Sequence, residues 1–206
     1  LEERRTRAVQ MRRWSDPESA GDLGALDLSA IEAVREEAWP EPRDADEMHE
    51  TLMGIGHVSA NEVASNPAWQ TWLESLAGDA RAALLVVGAG FSRDVSASHS
   101  ESDASLPKRR QAEEENRLWF AAELLPQALA IFPNAILQPQ IDAPAEYAEV
   151  AWTRENALIE QLRARMSALG PTTVQALAES MQVDRASIQP ALIALETQGS
   201  VMRGRF

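Results

Sequence analysis

Apolar residues recur at helical spacing along most of the chain, and the clearest run is the last. Leu158, Leu162, Met166 and Leu169 lie four, four and three residues apart. They predict a helix opened by Thr153 and stopped by Gly170-Pro171. Val174, Leu177, Ala178 and Met181 predict a short second helix capped by Thr172 or Thr173. Gln182 to Ala186 reads as a turn. Ser187 then reads as the cap of a third helix that turns Ile188, Ala191, Leu192 and Leu195 inward. Pro190 would fall in its first turn, where a missing N–H costs nothing. Gly199 ends that helix, and Ser200 to Phe206 reads as the start of a strand carrying Arg203 and Arg205. Three short helices followed by a strand predict a winged helix-turn-helix over 153–206, its wing truncated at Phe206.

A similar order precedes it. Glu2 to Trp14 predicts a basic helix, and Ser29 with Glu32 reads as a capping box for a helix bearing Ile31, Val34 and Ala38. Asp44 or Asp46 opens a helix with Met48, Leu52, Met53 and Ile55. Ser59 and Glu62 form another capping box, and Asn66-Pro67 opens a helix with Trp69, Trp72, Leu73 and Leu76 on one face. Ala82 to Val87 and Leu118 to Phe120 read as partner strands, with a disordered Ser-, Asp- and Glu-rich wing loop at about 92–116. Leu124 to Phe132 predicts one more helix. The expected fold is mainly α, of the α+β class: tandem winged helix-turn-helix domains with an N-terminal helical arm. The arm covers 1–42, a winged-helix-like domain 43–132, a linker 133–152 and the second winged-helix domain 153–206.

Charge narrows the functional classes. The 206 residues carry a net charge of −13, unevenly spread. Residues 1–13 hold five arginines and two glutamates, and 154–206 hold six arginines and five acids, so the acidity lies between them. The two ends suit phosphate better than the middle does. There is no cysteine, which excludes disulfides, thiolate metal sites and a cysteine nucleophile. No apolar run reaches the ~20 residues that span a bilayer, and Leu1-Glu2-Glu3-Arg4-Arg5 has no signal-peptide shape. A cytoplasmic location is expected. The absence of an initiator Met points to a piece of a longer chain.

Catalytic motifs are weak. Gly88-Ala89-Gly90-Phe91-Ser92-Arg93 lacks the Lys and Ser/Thr of a phosphate loop and reads as a hairpin turn. Asp46-Glu47-Met48-His49 spells a DExH box but opens an amphipathic helix, where the acids complement the helix dipole. His49, His57 and His99 show no metal-ligand spacing and default to surface or loop roles. Trp69, Trp72 and Trp119 read as core; Trp14, Trp39 and Trp152 sit at element ends and suit docking between units.

Four stretches resemble the C-terminal region of the large helicase-related (Lhr) family of superfamily 2 ATP-dependent DNA helicases. They are Glu36 to His49 (EEAWPEPRDADEMH), Leu118 to Glu123 (LWFAAE), Ser167 to Thr173 (SALGPTT) and Ala194 to Phe206 (ALETQGSVMRGRF). The similarity runs from about Leu26 onward and fails near residues 92 to 116. The resemblance implies a parent DNA translocase associated with repair, in which RecA-like motor domains bind ATP and Mg. This chain would be the first part of the extension that follows them. Neither the motor motifs nor the final portion, to which some relatives owe a uracil glycosylase activity, has a counterpart here. No catalytic residue or cofactor is therefore carried over.

The expected role is a non-catalytic accessory one: holding nucleic acid (DNA or an RNA–DNA hybrid), docking on the motor domains of the same polypeptide, or assembling a homo-oligomer. The contact residues expected are Arg185, Ser187 and Gln189 at the start of the last helix, with Arg203 and Arg205 in the wing. Arginine suits phosphate, and Ser and Gln suit backbone or base edges. A purely structural oligomerisation module and a winged-helix transcriptional regulator are the rivals.

Overall fold

The computed structural model describes residues 28–88 and 116–204. The basic N-terminal helix, most of the 92–116 loop, His99, Arg205 and Phe206 lie outside them. Local capping sets the frame. Helix α1 (Leu28–Ala38) begins one residue before Ser29, so Ser29 is inside it and not its cap. Helix α2 (Ala45–Ile55) starts at Asp44, whose side chain accepts from the Glu47 amide. It buries Met48, Thr51, Leu52 and Ile55, one stripe at helical spacing, and ends at Gly56. Strand β1 (Val58–Ser59) leads into α3 (Ala60–Ser65), which opens with the expected reciprocal box between Ser59 and Glu62. Helix α4 (Pro67–Gly78) places Pro67 where its missing N–H costs nothing and buries Trp69, Leu73 and Leu76. The Asn66 side chain does not cap it, donating instead to the Glu62 carbonyl at 2.9 Å.

Strands β2 (Ala82–Val86) and β3 (Arg117–Ala121) pair antiparallel, Leu84 opposite Trp119. A 3₁₀ turn (Ala122–Leu124) leads into α5 (Leu125–Ile131). The segment read as a linker, 133–152, carries strand β4 (Ile136–Gln138), which pairs with β2, and a short α6 (Ala145–Ala148). The sheet is four-stranded and antiparallel, in the order β1-β3-β2-β4.

Three helices complete the chain: α7 (Arg154–Leu169), α8 (Val174–Ser180) and α9 (Arg185–Thr197). Thr153 and Thr173 cap the first two. The third is capped three residues before the expected Ser187. Asp184 is its cap and accepts from the Ser187 amide at 2.6 Å. Pro190 therefore falls in the second turn, where it removes a helical hydrogen bond. Gly199 adopts φ +73° after the helix end, as a left-handed terminator requires. The strand expected from Ser200 is not formed across Ser200–Gly204. A strand needs a neighbour for its backbone, and no described strand lies beside this one.

Helix α7 is the hub, packing against α1, α2, α5 and α9. The buried residues from Met48 to Leu195 form one connected cluster. Architecture is thus mainly helical with a small antiparallel sheet, as expected at that level. Among the described residues no helix is long and apolar enough to cross a membrane.

The helix junction encloses a polar node. Arg165 on α7 is wholly buried, donates to the His57 carbonyl at 3.0 Å and pairs with Glu62. Its guanidinium carbon lies 5.3 Å from the Trp39 ring centroid, and Trp39 stacks on Trp69 at 6.3 Å. Trp39 thus docks the end of α1 onto α4 and α7. His57, expected in a surface or loop role, lies in the loop between α2 and β1 but is only 1% exposed, and it donates from Nε2 to the Ser180 carbonyl at 3.2 Å. Its pKa is lowered to about 4, chiefly by burial and next by the Arg165 charge, against the opposing pull of Glu62, the Ser180 carbonyl and Gln161.

Candidate nucleic-acid interface

Helix α9 stands by its inner face, where Ile188, Ala191 and Leu195 are buried. The opposite face repeats every four residues as Arg185, Gln189 and Ile193, all exposed, and Ile193 keeps 54% of its surface in water. Of the predicted contact residues, Arg185 and Gln189 share this face. Among the described residues the Arg185 guanidinium has no hydrogen-bond or ion-pair partner.

Ser187 is placed differently. It is half-buried, its hydroxyl donates to Asp184 Oδ2 at 2.8 Å, and it accepts from Arg154 Nη1 at 3.1 Å. That hydroxyl organises the helix start and is already engaged in both roles. Partial burial pushes the Asp184 carboxyl up. The hydroxyl and amide of Ser187, its own amide and the Arg154 charge outweigh this and hold it below the usual carboxylate range.

Arg203 is 71% exposed and its Nη2 lies 3.6 Å from Glu196 Oε2, at the far end of α9. Eleven residues of helix separate Arg185 from Glu196, which is about 16 Å along the axis. The structure therefore does not gather Arg185 and Arg203 into one cluster. It sets them at opposite ends of one helix. Arg205 lies outside the described residues.

Two arginines that the sequence reading passed over complete the surroundings. Arg154 reaches the start of α9 through Ser187. Arg163 reaches its end, donating to Gln198 at 2.5 Å and Ser200 at 2.6 Å while pairing with Glu160 at 3.2 Å. Helices α7 and α9 therefore run in the same direction, tied at both ends. The available signal was sequence position alone: both arginines flank the apolar stripe of α7 without belonging to it.

The outer face of α4 exposes Gln70, Thr71, Glu74 and Ser75, with no cation. Asp46 and Glu47 lie in the first turn of α2, as helix-dipole complements should. His49 Nε2 meets Glu123 Oε2 at 3.1 Å, and no group of three or more potential metal ligands occurs among the described residues. Comparison with protein-family models, curated proteins and solved structures gave no match.

Proposed function

We propose that this chain is a non-catalytic accessory region of an Lhr-type ATP-dependent DNA helicase involved in DNA repair, acting in the cytoplasm and holding nucleic acid on the outer face of α9. The observation that carries the reading is that face itself: among the described residues Arg185 has no partner, Gln189 follows one turn on and Ile193 beyond it, and all three are exposed. The unpaired guanidinium suits a phosphate, and the carboxamide suits a base edge or sugar. The winged-helix reading draws support from the upstream order helix, short strand, helix, helix, hairpin, in which β3 lies between β1 and β2. Binding would be electrostatic and weak, because Arg203 and Arg163 share their charge with Glu196 and Glu160. Motor domains of the same polypeptide would supply ATP hydrolysis.

Fluorescence anisotropy with labelled single-stranded, duplex and RNA–DNA hybrid oligonucleotides, repeated over a salt series, tests the proposal. Salt-dependent binding to at least one ligand supports it, and a flat response for all three rejects it.

A structural assembly role is favoured by a different observation. Ile136, Tyr147 and Val150, close in sequence, are all exposed apolar side chains. Light scattering over a concentration series decides that reading: a constant monomer mass rejects it.

A further inference from the structure

The sheet carries a feature unrelated to α9. Directly opposed residues of an antiparallel pair point to the same side. One side therefore carries Leu118, Phe120, Ala83, Leu85 and Leu137, all buried. The other carries Trp119 and Leu84 in one row and Arg117, Val86 and Ile136 in the next. Only part of this second side is covered. Trp119 is buried, Leu84, Val86 and Arg117 are half-buried, and Ile136 keeps 62% of its surface exposed.

A cleft of about 370 Å³ opens where α3 and the start of α4 overhang this side, lined by Val63, Pro67, Gln70, Leu84, Arg117 and Trp119 among others. Its walls are apolar except for Gln70 and Arg117. Among the described residues the Arg117 guanidinium has no hydrogen-bond or ion-pair partner, and its Nε is shut off from water with no acceptor. A guanidinium keeps its charge at any ordinary pH, and partial burial without a counter-ion is costly. A bound anion would relieve that cost.

We propose that this cleft binds a small organic monocarboxylate with a flat apolar body. The carboxylate pairs with Arg117, and the body lies over Leu84 and Trp119 against Val63 and Pro67. A carboxylate matches the planar fork of a guanidinium in shape and in charge. A phosphate dianion fits less well, since Arg117 is the only cation among the lining residues. The Gln70 amide gives one of its two N–H groups to Glu74 at 2.5 Å, which brings a negative charge near the rim. The inference stands apart from the α9 proposal and shares no residue with it.

The test is a titration of the full chain, ¹⁵N-labelled, with phenylacetate, phenyl phosphate, 2-phenylethylamine and benzyl alcohol as probes. Phenylacetate is expected to give saturable shifts at the amides of Val63, Gln70 and Leu84 and at the Trp119 indole. The amine and the alcohol are expected to give none, and phenyl phosphate to bind more weakly. Arg117→Gln is expected to weaken phenylacetate by about tenfold or more, the loss of a charge-assisted pair. Absence of saturable shifts, alcohol or phosphate binding as tight as the carboxylate, or undiminished binding in a folded Arg117→Gln would each overturn the proposal. The probe comparison needs no variant, so a misfolded Arg117→Gln leaves it decisive.

Discussion

Arg165 on α7 lies wholly out of water and pairs with Glu62 on α3, 103 residues earlier in the chain. Glu62 uses its other oxygen to accept from the amide and hydroxyl of Ser59, at 2.8 and 2.9 Å. One carboxylate thus closes the start of α3 and neutralises the cation of a distant helix. Removing one partner of a buried pair costs about 3–5 kcal/mol, toward the lower end where the survivor still meets water. Arg165→Ala is expected to lose about 3 kcal/mol in urea unfolding followed by tryptophan fluorescence. A loss under about 1 kcal/mol would show that the pair is peripheral to folding. Arg165→Met, which fills the site with an apolar chain, is expected to cost less than Arg165→Ala.

His57 makes stability depend on pH. Its folded pKa of about 4 lies below the unfolded value of 6.5, so the unfolded chain takes up the proton first as pH falls. The contribution is complete above pH 6.5, declines between 6.5 and about 4, and is spent below. The full loss is about 3 kcal/mol. Unfolding curves at pH 7.5 and pH 4.0 should differ more for the wild type than for His57→Gln. Equal differences would remove His57 from the account.

Gly56 ends α2 with φ +85°, and a Cβ built there would stand 2.5 Å from Gln161 Oε1. Two costs coincide, a left-handed backbone and a clash with a buried carboxamide that is held by Gln127 at 3.1 Å. Gly56→Ala is expected to cost about 1–2 kcal/mol. An unchanged melting temperature would mean that Gln161 moves aside and the backbone relaxes without penalty.

Asp184 holds the start of α9. Asp184→Ala is expected to cost about 1 kcal/mol, the usual loss of a cap, and Asp184→Asn much less. Since the carboxyl titrates low, its contribution is present at neutral pH and fades as acid protonates it. Thermal melts of both variants check this. If Ser187→Ala costs more than Asp184→Ala, then Ser187 and not Asp184 is the dominant group at this helix end.

The helix ends were legible where the signal was local. Asp44, Ser59 with Glu62, Thr153, Thr173 and Gly199 each act within one turn, so neighbouring residues suffice to read them. The start of α9 was misread because Asp184 and Ser187 both suit a cap, and the carboxylate wins by binding the amide and hydroxyl of Ser187 together. Strand β4 is three residues long and exists by pairing with β2, some fifty residues away, which no local pattern reveals. Arg165 was passed over, although it falls three residues after Leu162, inside the stripe, where a charged residue without a partner would be costly. Its partner Glu62 could not be found from spacing. For the candidate interface, Gln189 follows from helical period, but Arg185 does not: the sequence put it in the turn before Ser187, and the cap at Asp184 brings it into α9. The separation of Arg185 from Arg203 does not, because it depends on where the chain turns after Gly199.

The most direct measurement is the salt dependence of oligonucleotide binding by wild type and Arg185→Ala. Each phosphate contact contributes about one unit to the slope of log affinity against log salt. If α9 presents Arg185 to a phosphate, the variant binds more weakly and its slope is shallower by about one unit. Identical slopes in a folded Arg185→Ala, or no binding by the wild type, would contradict a nucleic-acid role for this helix.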